Sequence, residues 1–198
     1  MRSIRRFGVL LAGFLLLSFS QAAQAAVYKV DTDHTAVSFK IRHLFSNVTG
    51  HFKSFEGVIE YEPGKPETWK TWGSIDVASI DTNVPERDKH LKSADFFEAE
   101  TFPKIEFKST GVTEAAESSA KLAGLLKLHG VEKPVTLDLE IHGVGKDPWG
   151  NVRAGFTATT KINRKDFGLN WNQALETGQL LVGEEVLITI EAEGILQQ

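Results

Sequence analysis

The side chains best suited to chemistry are six histidines and one charged cluster near the middle of the chain. The histidines are His34, His43, His51, His90, His129 and His142. None stands four residues from another, as in a helical zinc motif, and none has a carboxylate at the close strand spacing of a zinc site. The chain contains no cysteine, which excludes thiolate metal sites and thiol nucleophiles. We therefore predict no metal site and no cofactor.

The charged cluster Arg87-Asp88-Lys89-His90 allows two interpretations. In one, the protein is an enzyme that acts on a lipid, with Asp88, His90 or His34 as the acid or base. In the other, which we favour, the cluster docks a helical turn on the end of a sheet, because Asp and Arg form strong hydrogen bonds to backbone groups. No G-x-S-x-G nucleophile motif and no phosphate-binding loop occurs in the sequence. We predict a protein that is not an enzyme and has no catalytic residues.

The first 25 residues have the pattern of a secretory signal peptide. They contain basic residues, an apolar run and a small-x-small site, in this order: Arg2, Arg5 and Arg6, then 7–19, then Ala23-Gln24-Ala25. The apolar run is short for a membrane span of about 20 residues. We expect cleavage after Ala25, a mature domain over 26–198, and a periplasmic location without stable membrane insertion.

Composition places the chain among ordinary globular proteins. It has 198 residues, 41% of them hydrophobic and 24% charged, and a formal net charge of −4. This hydrophobic content is sufficient for a full core, so the chain is not expected to be disordered. The absence of a basic excess argues against nucleic acid as a partner.

The elements that must position these side chains are strands. Val37, Phe39, Ile41 and His43 alternate with polar residues, which is the period of a strand with one apolar face. Similar patterns occupy eight segments, namely 28–43 with a break at 31–33, 48–61, 72–80, 104–112, 120–129, 135–141, 149–162 and 186–192. Within the second segment the apolar residues change from even to odd positions, which predicts a bulge near Ser54.

One segment departs from the strand pattern. Residues 81–102 predict a helical crossover, with Pro85 at the first helical position and the helix over one end of the sheet. Residues 129–134 predict the connection of a hairpin. Short connections between strands with one apolar face favour antiparallel pairing, and closure removes the exposed edges. The predicted fold is all-β, an eight-stranded antiparallel barrel with a short helical crossover.

The inward positions decide whether such a barrel is filled or hollow. We predict that a ligand-binding wall is formed by Val37, Phe39, Ile41, Ile75, Val77, Phe107, Leu126, Leu137, Leu139, Phe156, Ala158 and Ile188. Small inward residues accompany them, namely Gly73, Ser79, Ser109, Gly124, Ala154 and Ala158. Of these, Gly124, Ala154 and Ala158 are expected to mark the closest approach of a ligand. The pattern alone does not decide between a filled and a hollow barrel. At least one of the four tryptophans is expected to plug the barrel.

Four stretches, in order along the chain, carry a resemblance to a known family. They are Asp31-x-x-His34-Thr35 with Val37-x-Phe39-x-Ile41, Asp81-Thr82-Asn83 with Arg87-Asp88-x-His90-Leu91, Phe102-Pro103-x-Ile105-x-Phe107, and Leu128-His129-Gly130-Val131 with Arg164-x-Asp166-Phe167-Gly168. By these motifs the chain resembles the YceI-like family, which are polyisoprenoid-binding proteins of lipocalin-like fold.

The resemblance implies a lipocalin-like barrel with an extended apolar pocket for a polyisoprenoid or another long-chain amphiphile, such as a quinone tail or a fatty amide. It also implies export to the periplasm and a role as carrier, reservoir or sequestering protein; a homodimer is a possible assembly. It supplies no catalytic set. The enzyme described above and a structural or inhibitory partner protein remain the alternatives.

Overall fold

A computed structural model describes residues 25–176 and 178–197, so the predicted signal peptide lies outside the described residues except for Ala25. The strands are β1 Ala26–Val30, β2 Ala36–His43, β3 Ser46–Phe52, β4 Phe55–Tyr61, β5 Lys70–Asp76, β6 Ile80–Asp81, β7 Lys104–Thr113, β8 Ser119–Leu128, β9 Val131–Lys146, β10 Val152–Asn163 and β11 Val182–Leu196. The α-helix described, α1, is Pro85–Lys92, and short 3₁₀ turns lie at Pro66–Thr68, Val77–Ser79 and Arg164–Phe167. Within the described ranges no helix has the length and apolarity to cross a membrane.

The strands form one closed antiparallel sheet. The order is β1-β4-β5-β7-β8-β9-β10-β11, and β11 pairs back with β1. β2, β3 and β6 continue β1, β4 and β5 beyond short breaks, since β11 pairs with β2 along its first half and with β1 near its end. Counted this way, eight composite strands surround the interior, and the predicted eight-stranded barrel is confirmed.

The barrel has two ends of different construction. The upper end carries the β2–β3 turn, the β8–β9 turn, residues 82–103 with α1, and the loop 164–181. The lower end carries the connections 62–69, 114–118 and 147–151. The predicted crossover is thus an element of the upper end, and its helix begins at Pro85 as expected.

The third predicted strand is interrupted. β5 ends at Asp76, whose side chain accepts a hydrogen bond of 3.0 Å from the N–H of Ala78 and so starts a 3₁₀ turn. The N–H of Val77 donates to Pro103 O at 2.9 Å. Because this turn breaks the alternation, Ile80 is buried at the next inward position and Ser79 is not.

Two other boundaries also differ from the expectation. The predicted bulge near Ser54 is a break between β3 and β4, across which the inward parity does change. The predicted 129–134 connection is a two-residue turn, His129-Gly130, with φ angles of 51° and 75°. Two successive positive φ values belong to a type I′ hairpin turn, which lets β9 begin at Val131.

An aromatic cluster closes the lower end. Its buried members are Tyr28, Tyr61, Trp69, Ala120, Ile141, Ala154 and Phe156. The ring of Tyr61 lies 4.8 Å from Trp69 and 5.0 Å from Phe156. Trp69 Nε1 donates to Glu62 O at 2.7 Å, so the indole is buried with its polar group satisfied. Trp69 is therefore the tryptophan that fills the barrel at this end.

A charged network holds the break between β1 and β2. Arg153 Nε donates to Asp147 Oδ2 at 2.8 Å and Nη1 to Asp31 Oδ2 at 2.6 Å, and Nη1 also contacts Glu193. His34 Nδ1 lies 2.8 Å from the same oxygen of Asp31. Hydrogen bonds from Arg153, His34 and the Asp33 N–H lower the pKa of Asp31 to about 2 against the opposing effect of burial. The Asp31-x-x-His34 motif therefore has a structural role.

This network makes the free energy of unfolding depend on pH. The pKa of Asp31 is about 2 in the folded protein and 3.8 ordinarily, so its contribution is complete above about pH 4 and is lost as the pH falls toward 2. We expect the free energy of unfolding, measured by urea titration, to fall more steeply across this window in the wild type than in Asp31→Asn. Asp138→Asn, a change at an exposed strand position, should keep the wild-type slope. Equal slopes in all three proteins would contradict the prediction.

Candidate ligand-binding cavity

The barrel encloses a cavity of about 410 Å³. Its wall is formed by inward residues of the strands, and its surface is almost entirely carbon. A cavity of this size lies within the range of small-molecule sites. The structure therefore shows a hollow barrel, which the sequence pattern left open.

Eleven of the twelve predicted wall residues line this cavity, and Val77 does not. Val77 is 1% exposed and packs in the core cluster that contains Phe52 and Ile80. The 3₁₀ turn at Val77–Ser79 removes it from the wall. That any of the eleven contacts a ligand stays a prediction.

The small inward residues do not all leave space. The ring of Phe107 covers Gly124, where an added Cβ would lie 2.3 Å from Phe107 Cζ. Ala154 is buried in the lower aromatic cluster. Neither lines the cavity, whereas Ala158 does, although it also packs against Leu122 and Leu137. The expected closest approach at Gly124 and Ala154 is therefore wrong.

A pair of glycines widens the cavity at another part of its wall, on β4 and β5. Gly57 of β4 and Gly73 of β5 are direct cross-strand partners with inward parity. A Cβ at Gly57 would lie 2.9 Å from Trp72 O, whereas a Cβ at Gly73 would meet only Glu56 O at 3.6 Å. Of the two, Gly73 is thus the position where a Cβ makes only an ordinary van der Waals contact with the backbone. The sequence pattern predicts that Gly73 is small and inward. That it pairs with Gly57 is known only from the register of β4 and β5.

Residues of the upper end complete the cavity. Its lining there includes Arg87, His90, Leu91, Phe96, Phe97, Arg164 and Trp171. The ring of His90 lies 5.0 Å from both Phe96 and Trp171, edge to face. These contacts join the crossover segment to the loop 164–181 across the upper end.

The Arg87–His90 cluster fixes α1 to the end of β6. Asp88 Oδ1 accepts hydrogen bonds from Thr82 N at 2.8 Å and Thr82 Oγ1 at 2.5 Å. Arg87 donates to Thr82 Oγ1 and to Thr82 O, both at 2.8 Å. His90 Nε2 instead lies 2.9 Å from Asp95 Oδ2. Asp88 and His90 therefore do not form an acid–base dyad, and the geometry corresponds to the docking role.

Removing the Asp88 carboxylate should weaken this attachment. Asp88→Ala leaves the N–H and hydroxyl of the buried Thr82 without their acceptor, at a cost of about 1–3 kcal/mol of unfolding free energy. Glu86→Ala, on the exposed side of the same helix, is the matched control and should change little. Chemical denaturation measures both variants. An unchanged unfolding curve for Asp88→Ala, with lost ligand binding, would place Asp88 in the site instead.

A group of side chains that could coordinate a metal ion lies outside the cavity. Asp31, His34 and Glu193 offer ligand atoms within 4.8 Å of one another. The guanidinium of Arg153 already bonds both carboxylates and supplies the positive charge there. This arrangement is that of an ion-pair network that stabilises the fold.

Comparisons with known proteins identify the fold family. The sequence model of the YceI-like domain matches residues 28–194. A UPF0312 protein of Pseudomonas putida strain W619 is 41% identical over 197 residues, which cover 98% of each chain. The crystal structure of the Campylobacter jejuni YCEI protein matches with a TM-score of 0.68 and 29% identity, over 96% of this chain and all of that one.

A further solved structure carries a functional description. It is a polyisoprenoid binding domain from Saccharophagus degradans, matched with a TM-score of 0.64 over 88% of this chain and 100% of that chain. The identity is 15%, so this likeness concerns the fold.

Proposed function

Because this chain belongs to the YceI-like family, we propose that it is an exported protein that binds a long isoprenoid or similar amphiphilic lipid inside its barrel. The protein then serves as a carrier, reservoir or sequestering protein. The polyisoprenoid binding described for the Saccharophagus degradans domain, which has the same fold, supports the choice of ligand class. The signal-like pattern of residues 1–25 supports export.

The observation that carries the proposal is a hollow apolar barrel with a plugged lower end. An apolar tail in such a cavity gains about 0.8 kcal/mol per buried methylene. The wall has few polar atoms, and the aromatic cluster around Trp69 fills the interior below it. A ligand of this cavity therefore needs a long carbon chain with few hydrogen-bonding groups along it.

Mass spectrometry of an organic extract tests the proposal. The protein is purified from its native compartment without detergent, and an unrelated exported protein purified in parallel is the control. We expect a prenyl or long acyl lipid in near-stoichiometric amount from this protein alone. An extract equal to the control, together with no binding of added geranylgeraniol, would refute the proposal. Export is tested by N-terminal sequencing, which should begin at Ala26 and not at Met1.

A further inference from the structure

The turn between β2 and β3 presents a phenylalanine to solvent at the upper end of the barrel. Phe45 is 94% exposed, and Leu180 of the neighbouring loop is 37% exposed. The backbone N–H of Leu44 donates to Leu181 O at 2.9 Å, so the turn and the loop lie side by side. We call Leu44, Phe45 and Leu180 the apolar rim. Single exposed apolar residues are common on proteins, so the setting of the rim decides what it does.

The apolar rim is held in place by hydrogen bonds. Arg42 Nη1 donates to Leu44 O at 3.2 Å, and Arg42 Nη2 donates to Leu180 O at 3.3 Å. Leu44 has a φ angle of 49°, a left-handed conformation that is uncommon for a residue other than glycine and persists where neighbouring contacts impose it. The exposure of Phe45 is therefore imposed by the backbone of the turn.

The apolar rim lies next to the cavity. His43 and Leu181 are direct chain neighbours of rim residues and line the cavity, whereas Phe45 does not. The lower end is filled by the aromatic cluster around Trp69. A lipid that exchanges through an end of the barrel therefore passes the upper end, where the rim is.

The hairpin that carries the rim is locally basic. Residues 34–55 contain Lys40, Arg42 and Lys53 and no Asp or Glu, although the chain has a formal net charge of −4. Lys53 is paired with Asp81, whereas Lys40 and Arg42 are exposed and have no carboxylate partner among the described residues. Basic side chains beside an exposed aromatic tip are typical of elements that bind at the surface of an anionic membrane.

The lower end lacks this combination. Trp149 is 80% exposed there, but the lower connections carry Glu114, Glu117 and Asp147. Carboxylates are repelled by the negative surface potential of an anionic bilayer. The lower end therefore provides a contrast, in which an exposed aromatic ring stands among acids.

We propose that the apolar rim docks the protein reversibly on a lipid bilayer that contains anionic phospholipids, so that the upper end of the barrel faces the membrane. The inference rests on the proposed function, since it assumes a lipid cargo that resides in a membrane. Phe45 enters the interfacial region, and Lys40 and Arg42 contact lipid phosphates. One aromatic ring and two cations give weak attachment, which suits a protein that must leave again with its cargo.

A fluorescent label at the rim tests docking directly. The chain has no cysteine, so Ser46→Cys, next to Phe45, and Glu117→Cys, at the lower end, each accept one environment-sensitive nitrobenzoxadiazole group. Vesicles of phosphatidylethanolamine and phosphatidylglycerol should increase and blue-shift the emission of the label at position 46 and leave the label at position 117 unchanged. Lys40→Gln should weaken this response several-fold, because a cation near the surface is lost.

Transfer of a lipid probe tests what docking does. Fluorescent geranylgeraniol is offered to unlabelled protein either in the same vesicles, at low concentration, or as a soluble cyclodextrin complex. Phe45→Ala should slow transfer from vesicles by about tenfold or more, the effect of moving one phenylalanine side chain from water to an apolar phase, and should leave uptake from cyclodextrin unchanged. Trp149→Ala removes an exposed ring at the lower end and should keep the wild-type rate from both donors.

The outcomes separate this inference from the proposed function. A label at position 46 that does not respond to vesicles, or that responds no more than the label at position 117, refutes docking through the rim and leaves the lipid-binding proposal standing. So does a Phe45→Ala protein that takes the probe from vesicles at the wild-type rate. Slower uptake by Phe45→Ala from both donors places Phe45 in the path of the ligand and also refutes docking. A wild-type protein that takes up the probe from neither donor refutes the proposed function itself.

Discussion

Gly73→Phe should block the binding of long prenyl tails while the barrel remains folded. An added Cβ at Gly73 meets no atom closer than Glu56 O at 3.6 Å, and the position faces the cavity beside its cross-strand partner Gly57. If the ring displaces a tail from about four methylene contacts, the loss is about 3 kcal/mol, or about a hundredfold in affinity. Titration with fluorescent geranylgeranyl analogues measures the loss, and thermal melting measures the fold.

The matched control is the same substitution on the outside of the wall. Gly111 of β7 is exposed, and an added Cβ there meets nothing within 4 Å. Gly111→Phe should therefore keep the wild-type affinity. Wild-type affinity in a folded Gly73→Phe protein would show that the ligand lies elsewhere, and the cavity would lose its assigned role. Gly73 is a cleaner position than Ala158, which already packs against Leu122 and Leu137.

Phe156→Ala should lower the free energy of unfolding by about 3–5 kcal/mol, the usual cost of removing a buried aromatic ring. Phe156 is 7% exposed and packs edge to face on Tyr61 in the cluster that closes the lower end. Truncation leaves a void beside Tyr61 and Trp69, which the closed barrel cannot easily collapse to fill. Urea unfolding followed by circular dichroism gives the difference.

Phe45→Ala is the control for this second prediction. It makes the same chemical change at a side chain that is 94% exposed, so the stability should change by less than about 0.5 kcal/mol. If Phe156→Ala proves as stable as Phe45→Ala, the aromatic cluster does not close the barrel through packing. Phe156 would then act only as a ligand contact. That role is available because Phe156 belongs to the lower cluster and also lines the cavity.

Several residues of the family motifs hold the barrel together at two places. Asp31 and His34 belong to the Arg153 network at the β1–β2 break. At the upper end, His129 Nδ1 lies 3.1 Å from Phe167 O, which ties the β8–β9 turn to the Arg164–Phe167 turn. Other motif residues lie in the cavity wall, among them Phe39, Ile41 and Phe107.

The sequence by itself determined the number of strands and the inward side of most of them. Both follow from a period of two, which is local: each apolar residue at i, i+2 and i+4 must face the same way. β8, β9 and β10 are examples, because Leu126, Leu137 and Phe156 are inward as the pattern predicts. The position of Pro85 likewise placed the start of α1, through its fixed φ angle.

Only the tertiary structure decided which inward residues face empty space. The register places Gly57 opposite Gly73, and the ring of Phe107 over Gly124, so one glycine opens the cavity and another is covered. Val77 leaves the wall through a hydrogen bond to Pro103, and Arg164 is buried by carbonyls of residues 169 and 183. These contacts join residues that local periodicity does not relate, and their geometry exists only after the barrel closes.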